Sequence, residues 1–346
     1  MRTITTLGAL ALLLGACSSD NVGAPPAAPV DWHAFDVPRG PAAIPPGPTP
    51  QERVVAEAYV SALASAGFAG VTPLLNADTH FTFPGTQDAR GHDAVIRAHE
   101  TVLGAFDSRV FATSRVWRTD AVHAVEWTMS GVQSKDWMGV PASHKPVVLR
   151  GISLLWTKDD GTIVDAHMIF DVTAVKTQLG AGPKELANLP APAMASGAPQ
   201  VTEQGRTPDE AANVTATRAW LDGLEKTDEA GYLAGVTDDV LVESLHRLQP
   251  MHGKEDLKTY FRSMHKAISE LDTTVDNVLG IGRFAVVEYT INGEQVGPLQ
   301  VGTWTIPAKS DRVVRLHVAD IVEFRDGKIA HVWRYDSPAE ILAAGS

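Results

Sequence analysis

Val125-Glu126-Trp127-Thr128-Met129-Ser130-Gly131 returns later in the chain as Val287-Glu288-Tyr289-Thr290-Ile291-Asn292-Gly293. Each copy sits in a larger matching unit. Both units open on a Thr-Pro pair, Thr49-Pro50 and Thr207-Pro208, and both near their ends pass an acidic turn, Asp160-Gly161-Thr162-Ile163 and Asp326-Gly327-Lys328-Ile329. A spacing of roughly 160 residues is far above solenoid periods and matches a whole domain, so the chain is read as a tandem duplication.

Within each unit, helices come first and strands follow. Val54, Val55, Ala58, Tyr59, Ala62 and Leu63 recur at helical spacing behind Thr49 as N-cap and Pro50 as first helical residue. The second unit repeats this from Thr207-Pro208 through Val214, Ala219, Trp220 and Leu224. A further helix in each follows a Gly-led turn: Gly91-His92-Asp93 before Ala94 to Leu103, and Gly253-Lys254-Glu255 before Asp256 to Ile268. The period then shifts towards two, in Ala121 to Met129, Val147 to Thr157 and Thr162 to Val172, and again in Phe284 to Ile291, Val313 to Phe324 and Ile329 to Tyr335. This order predicts an α+β fold: two tandem domains, each with N-terminal helices on one face of a curved, mostly antiparallel sheet.

The first residues read as an export signal. Arg2 is the positive start, Leu7 to Leu14 the short apolar run, and Gly15-Ala16 the small residues of a processing site. Leu14-Gly15-Ala16-Cys17 resembles the lipobox of bacterial lipoproteins, which implies a signal peptide over 1–16, a thioether-linked lipid on Cys17 and anchoring in the cell envelope. Ser18 in place of Asp implies the outer membrane, facing the periplasm or the surface. Cys17 is the single cysteine of 346 residues, so it has no internal disulfide partner. Residues 17–48 carry Pro25, Pro26, Pro29, Pro38, Pro41, Pro45, Pro46 and Pro48 and read as an extended stalk. Residues 49–180 are the first domain, 181–206 a Pro-containing linker, and 207–346 the second domain.

Composition is that of a protein with packed cores, 44% hydrophobic and 20% charged. The formal net charge of −12 and the absence of Lys/Arg clusters argue against nucleic acid and against a polybasic lipid patch, leaving the lipid anchor as the membrane contact. No GxSxG elbow and no GxxxxGK[ST] loop occur, and Gly280-Ile281-Gly282 lacks the third glycine of a dinucleotide site. No HxH or HExxH spacing is present among the histidines, so no metal is expected. The tryptophans are scattered through predicted helices and strands and read as core and pocket walls.

The order of helix, Gly-His-Asp turn, Val-Glu-Trp-Thr-x-x-Gly strand, Gly139-Val140-Pro141 loop, and Asp-Gly-x-Ile strand closing on Asp171 and Gln178-Leu179-Gly180 resembles the SnoaL-like polyketide cyclase family. The second unit departs from it: Gly297 to Pro307 replaces the Gly-rich loop, and no Gln-Leu-Gly follows Asp336. The resemblance implies the cone-shaped fold of nuclear transport factor two with an apolar pocket. It also implies cyclases that use a carboxylate as general acid/base, without metal or cofactor, on a small apolar carbonyl compound.

By position the implied carboxylates are Asp171 and Asp336. Strand alternation puts Asp165, His167 and Asp171 on one face and Val164, Ala166, Met168 and Phe170 on the other. The apolar set is the one expected to meet the helices, which would leave Asp165 and His167 solvated. Asp171 is either catalytic or an end-of-strand residue that caps a turn or makes a salt bridge. Glu126 and Glu288, at equivalent strand positions, are either polar pocket groups or solvated strand residues. His80, beside Phe81 and Phe83, and His246, after Leu245, are candidates for the mouths of the two cavities. Two functions of different class fit: a cyclase or isomerase, or a non-catalytic module that binds a small apolar ligand or a partner protein. Pairing of the two domains through their outer sheet faces, as an intramolecular pseudo-dimer, is expected.

Overall fold

The computed structural model describes residues 54–84, 88–309 and 312–343. Cys17, the stalk and the Thr49-Pro50 helix start lie outside the described residues. The first domain runs α1 (Val55–Ala62), β1 (Leu75–Thr82), β2 (Ala89–Arg90), α2 (His92–Leu103), β3 (Phe106–Arg118), β4 (Val122–Gln133), β5 (Pro146–Thr157), β6 (Ile163–Phe170) and α3 (Val172–Leu179). After β7 (Gln200–Glu203), the second runs α4 (Pro208–Glu225), α5 (Glu229–Ala234), β8 (Val236–Ser244), β9 (Met251–His252), α6 (Gly253–Ala267), β10 (Ile268–Ile281), β11 (Phe284–Gln295), β12 (Leu299–Val301), β13 (Trp304–Ile306), β14 (Arg312–Arg325), β15 (Lys328–Asp336) and α7 (Ala339–Ala343).

Duplication is explicit in the sheet orders, β2-β1-β6-β5-β4-β3 in one domain and β9-β8-β15-β14-β11-β10 in the other. Both sheets are mixed: β1 runs parallel to β6, and β8 parallel to β15. Two long strands the periodicity missed, β3 and β10, stand next to the repeated β4 and β11. Their burial patterns carry no steady alternation, because register shifts at Thr113/Arg115 and Val275/Asn277 bend them.

Local chemistry explains the helix starts. Thr207 and Glu210 form a reciprocal capping box at α4, with Pro208 as the first helical residue. Gly91 and Gly253 stand at the starts of α2 and α6 with φ of 75° and 76°, a conformation that strains any residue carrying a Cβ.

Inside the first cone, Tyr59, Phe68, Phe81, Phe83 and Trp127 are buried around His99. His99 Nδ1 donates to Val95 O at 2.8 Å, so its Nε2 accepts from the Tyr59 hydroxyl at 3.0 Å, and burial holds the ring neutral with a pKa lowered to about 4. Trp127 also passes so close to Gly151 that a Cβ there would meet its ring at 2.6 Å.

The segment read as a linker is part of the packed structure. Leu186 is fully buried in the second domain's core, and β7 pairs in parallel with β3 as a seventh strand of the first sheet. The outer sheet faces are not open to solvent either. Trp117, Ile152, Leu154 and Ile169 from the first sheet share one buried apolar cluster with Ile281, Phe284, Ile321 and Tyr335 from the second.

Candidate functional site

Three polar groupings lie on or beside this shared face. At its end, the closing strands β6 and β15 deliver Asp171 and Asp336 to the same place, although each was expected to serve its own cone. His246, from the segment after β8, stands between them: its Nδ1 is 3.3 Å from Asp336 Oδ1 and 3.8 Å from Asp171 Oδ2. Asp171 caps α3, its Oδ1 accepting from Thr173 N at 2.7 Å and Ala174 N at 3.1 Å. Asp171 Oδ2, His246 Nδ1 and Asp336 Oδ1 are all buried and none has a hydrogen-bond partner among the described residues; the ion pair lacks hydrogen-bond alignment. Burial lifts the Asp171 carboxyl to a pKa of about 6, against the opposing pull of the His246 charge. For Asp336 burial is outweighed by that charge and the pKa falls, while the two carboxylates raise His246 against its own burial.

His246 and Asp336 line a cavity of about 30 Å³ inside the second cone, together with Tyr260, Arg334, Met264 and Leu316. Asp171 borders a smaller cleft of about 20 Å³ formed with α3 and Pro190. The hairpin β12–β13, built from the segment that replaces the Gly-rich loop, contributes Leu299 and Val301 to the cavity wall. Arg334 reaches Asp320 through Nε at 3.0 Å and Nη2 at 2.8 Å, and donates from Nη1 to Tyr260 Oη at 2.9 Å. Tyr260 therefore keeps its own hydroxyl hydrogen for another acceptor.

Glu126 and Glu288 are neither solvated nor inside the cones. They are buried because each faces the other domain's sheet, a covering that no single-strand pattern reports. Glu126 accepts from Arg115 Nε and Arg150 Nε, both at 2.6 Å, from Ser114 Oγ at 2.7 Å, and from Tyr335 of the second domain. Glu288 accepts from Asn277 at 2.7 Å, from His317 Nε2 at 2.7 Å, and from His167 Nδ1 of the first domain at 2.5 Å. Ladder registers make Arg115 equivalent to Asn277 and Arg150 equivalent to His317.

His80 and His167 also stand elsewhere than expected. His80 points away from Phe81 and Phe83, so it does not line the mouth of the first cavity, and His167 is covered by the second domain instead of solvated. The parallel register sets His80 opposite Asp165 and Thr82 opposite His167. His80 Nδ1 is 3.0 Å from Asp165 Oδ1, and His167 Nε2 is 3.5 Å from the same oxygen. Although no linear metal-binding spacing exists, one ligand atom from each of these three residues lies within 4.8 Å of the other two. Sequence reasoning missed Asp165, Tyr260, Arg334 and Asp320 as site residues. Comparing the repeats carried one signal, since Ser153 and Met168 hold the positions of Asp320 and Arg334.

A family model described as SnoaL-like polyketide cyclase matches residues 53–179, and one described as SnoaL-like domain matches residues 217–332. The chain carries two SnoaL-like domains in tandem. Among solved structures, it is similar to a candidate SnoaL-like polyketide cyclase from a Jannaschia species, at 20% identity over 41% of this chain and 97% of that one, with a TM-score of 0.37. It is also similar to a protein with a ketosteroid isomerase-like fold from Catenulispora acidiphila, solved in complex with trimethylamine, at 16% identity over 38% and 91% of the two chains and a TM-score of 0.32. A third is an LEH-like epoxide hydrolase from M. tuberculosis, at 18% identity over 40% and 92% and a TM-score of 0.32. No curated protein sequence matches the chain. Among the described residues, no helix is long and apolar enough to cross a membrane.

Within the SnoaL-like pair, the Glu126 cluster gives the interface a definite pH response. Burial alone would raise this carboxyl, but Arg115, Arg150 and Ser114 overcome it and hold the pKa at about 2, below the ordinary 4.5. A depressed carboxylate contributes stability above its unfolded pKa and loses it as pH falls through the folded one. The stability gap between wild type and Glu126→Gln should therefore narrow by about 3 kcal/mol between pH 5 and pH 2, at about 1.4 kcal/mol per pKa unit. Denaturant titrations at a series of pH values read this, and a gap independent of pH would remove Glu126 as the cause.

Proposed function

We propose that this chain is an acid–base catalyst of the cyclase or isomerase type, acting at the second cone through Asp336 and His246. The observation that carries the reading is the convergence of Asp171, His246 and Asp336. Each has a buried polar atom without an aligned hydrogen bond, and His246 and Asp336 face a cavity walled by both apolar and polar side chains. Their charges meet one another across 3.3 and 3.8 Å without a well-aligned hydrogen bond, which leaves bonding capacity for a substrate.

In this reading a small carbonyl compound enters with its oxygen towards Tyr260. Asp336 removes the proton from the carbon next to the carbonyl. The C–H electron pair moves onto the oxygen, where the Tyr260 hydroxyl, backed by Arg334, donates to the developing charge. The proton then returns from Asp336 to another carbon, or the enolate carbon attacks a second carbonyl, closes a ring, and the resulting alkoxide takes the proton from Asp336. His246 keeps Asp336 ionised, and Asp171, with its pKa of about 6, stores or supplies a proton behind it. The present cavity has room for only a water or two. Substrate admission thus requires the hairpin β12–β13 to move outward.

The test is proton exchange. Full-length protein in deuterium oxide is incubated with small apolar β-keto esters and enones, and loss of the carbon-bound proton is followed by NMR. The reading predicts acceleration over buffer that disappears in Asp336→Asn. No acceleration across the panel by folded protein would sink it.

The shared apolar face and the reciprocal reach of Tyr335 to Glu126 and His167 to Glu288 support a fixed intramolecular pseudo-dimer. The lipobox-like run before Cys17 supports export and lipid anchoring at the cell envelope. Intact mass of the protein made in a lipoprotein-processing bacterium should begin at Cys17 and carry the diacylglyceryl increment; an unprocessed or unlipidated chain contradicts this.

A further inference from the structure

We propose that His80, Asp165 and His167 form a binding site for a divalent first-row cation of the zinc class, separate from the acid–base site. Ligand atoms held 2.0–2.2 Å from one ion stand roughly 3.0–3.5 Å from each other in octahedral or tetrahedral geometry. The His80 Nδ1 and His167 Nε2 separations from Asp165 Oδ1, 3.0 and 3.5 Å, fall in that range. The neighbouring trio of His167, Glu288 and His317 stands closer together, at 2.5 and 2.7 Å, short of that range.

The second nitrogen of each ring strengthens the assignment. His167 turns Nδ1 to the buried Glu288 carboxylate, and His80 turns Nε2 to Asp88 at 3.2 Å. Each ring thus meets a carboxylate at both nitrogens, and an ion would take the place of the proton on the Asp165 side while the outer carboxylate keeps the ring oriented, as around metal-bound histidines. Trp156 packs on His167 with ring centroids 4.8 Å apart and limits its rotation. Charge also favours a cation. Four carboxylates, Asp88, Asp165, Glu288 and Asp276, surround His80, His167 and His317 and hold these imidazoles in the charged form, so a cation would enter by replacing ring protons; Arg90 acts on Asp88 from the β2 side. His80 and His167 remain slightly exposed, and Asp88 at 60% exposure marks the open side by which an ion and a water ligand would enter. The donor set, two imidazoles and one carboxylate with room beyond, suits zinc, cobalt or ferrous iron over magnesium or calcium.

The test uses untagged full-length protein, stripped with chelator and titrated with Co²⁺. One equivalent should bind with visible d–d absorption and be displaced by Zn²⁺. Asp165→Asn and His80→Gln should each weaken binding at least tenfold, while His331→Gln, on the pair with Glu243, should leave it unchanged. Zn²⁺ should also shield His80 and His167 of the wild-type protein from diethyl pyrocarbonate, a readout that stands even if a variant fails to fold. Absence of stoichiometric binding, equal binding by wild type and both ligand variants, or unshielded histidines would overturn the proposal and leave the group as an ion-pair network between the domains.

Discussion

Asp336→Asn is expected to lower turnover by about 10²–10⁴-fold while leaving ligand binding nearly intact, since the amide keeps the shape of the side chain and loses only its basicity. The expectation rests on position. Asp336 is the carboxylate of the trio that lines the cavity alongside Tyr260 and Arg334, and His246 holds its pKa down so that it is ionised at neutral pH. His246→Gln should fall in the same range by a different route: without the imidazolium, the two carboxylates repel one another and the proton they share moves Asp336 out of its basic form. Asp171→Asn should act differently again, removing an inflection near pH 6 from the kcat profile while keeping residual activity. Steady-state rates of the three variants between pH 4 and 9 read these outcomes, and an Asp336→Asn protein within threefold of wild type contradicts the assignment.

Arg334→Met should destabilise the second domain by about 3–5 kcal/mol, because it strands the Asp320 carboxylate in the core. Arg334 and Asp320 side chains are 5% and 0% exposed, and their bidentate contact is completed by the Tyr289 hydroxyl at 2.9 Å from each partner. The first domain provides the control. Its Met168 and Ser153 hold the same ladder positions, and Ser153 simply accepts from Trp127 Nε1 at 3.0 Å. The double variant Asp320→Ser/Arg334→Met copies that solution and should recover most of the loss. Because two domains share one interface, the shift is best read as the denaturant midpoint of the transition that reports on the second domain. An Arg334→Met midpoint equal to wild type would show that the ion pair is not what holds this cone closed.

These two sites were legible to different degrees. Asp336 could be named because the closing strand of the second repeat ends on it, one register position short of where Asp171 follows the closing strand of the first. That both end beside one histidine could not, because the strands come from separate domains and only their packing brings the ends together. Glu126 and Glu288 were readable as equivalents, yet their alternation with Trp127 and Tyr289 pointed to water. A period of two states which residues share a face, not what covers it. For the same reason His80 and His167 read as a cavity-mouth residue and a solvated one. His80 and Asp165 are 85 positions apart and become neighbours only through the parallel β1–β6 ladder.

What the amino-acid order determined by itself is the duplication, the starts of α2, α4 and α6, and the inward face of the strands whose period of two it shows. These depend on local propensity, capping chemistry and hydrophobic period, all of which act over a few residues. What only the tertiary structure decided is the use of the outward faces. Closing one curved sheet against another turned those polar residues from a solvated surface into buried carboxylates, each bonded across the seam. The cause is desolvation, which acts on a group according to everything packed around it, including chain more than a hundred residues away.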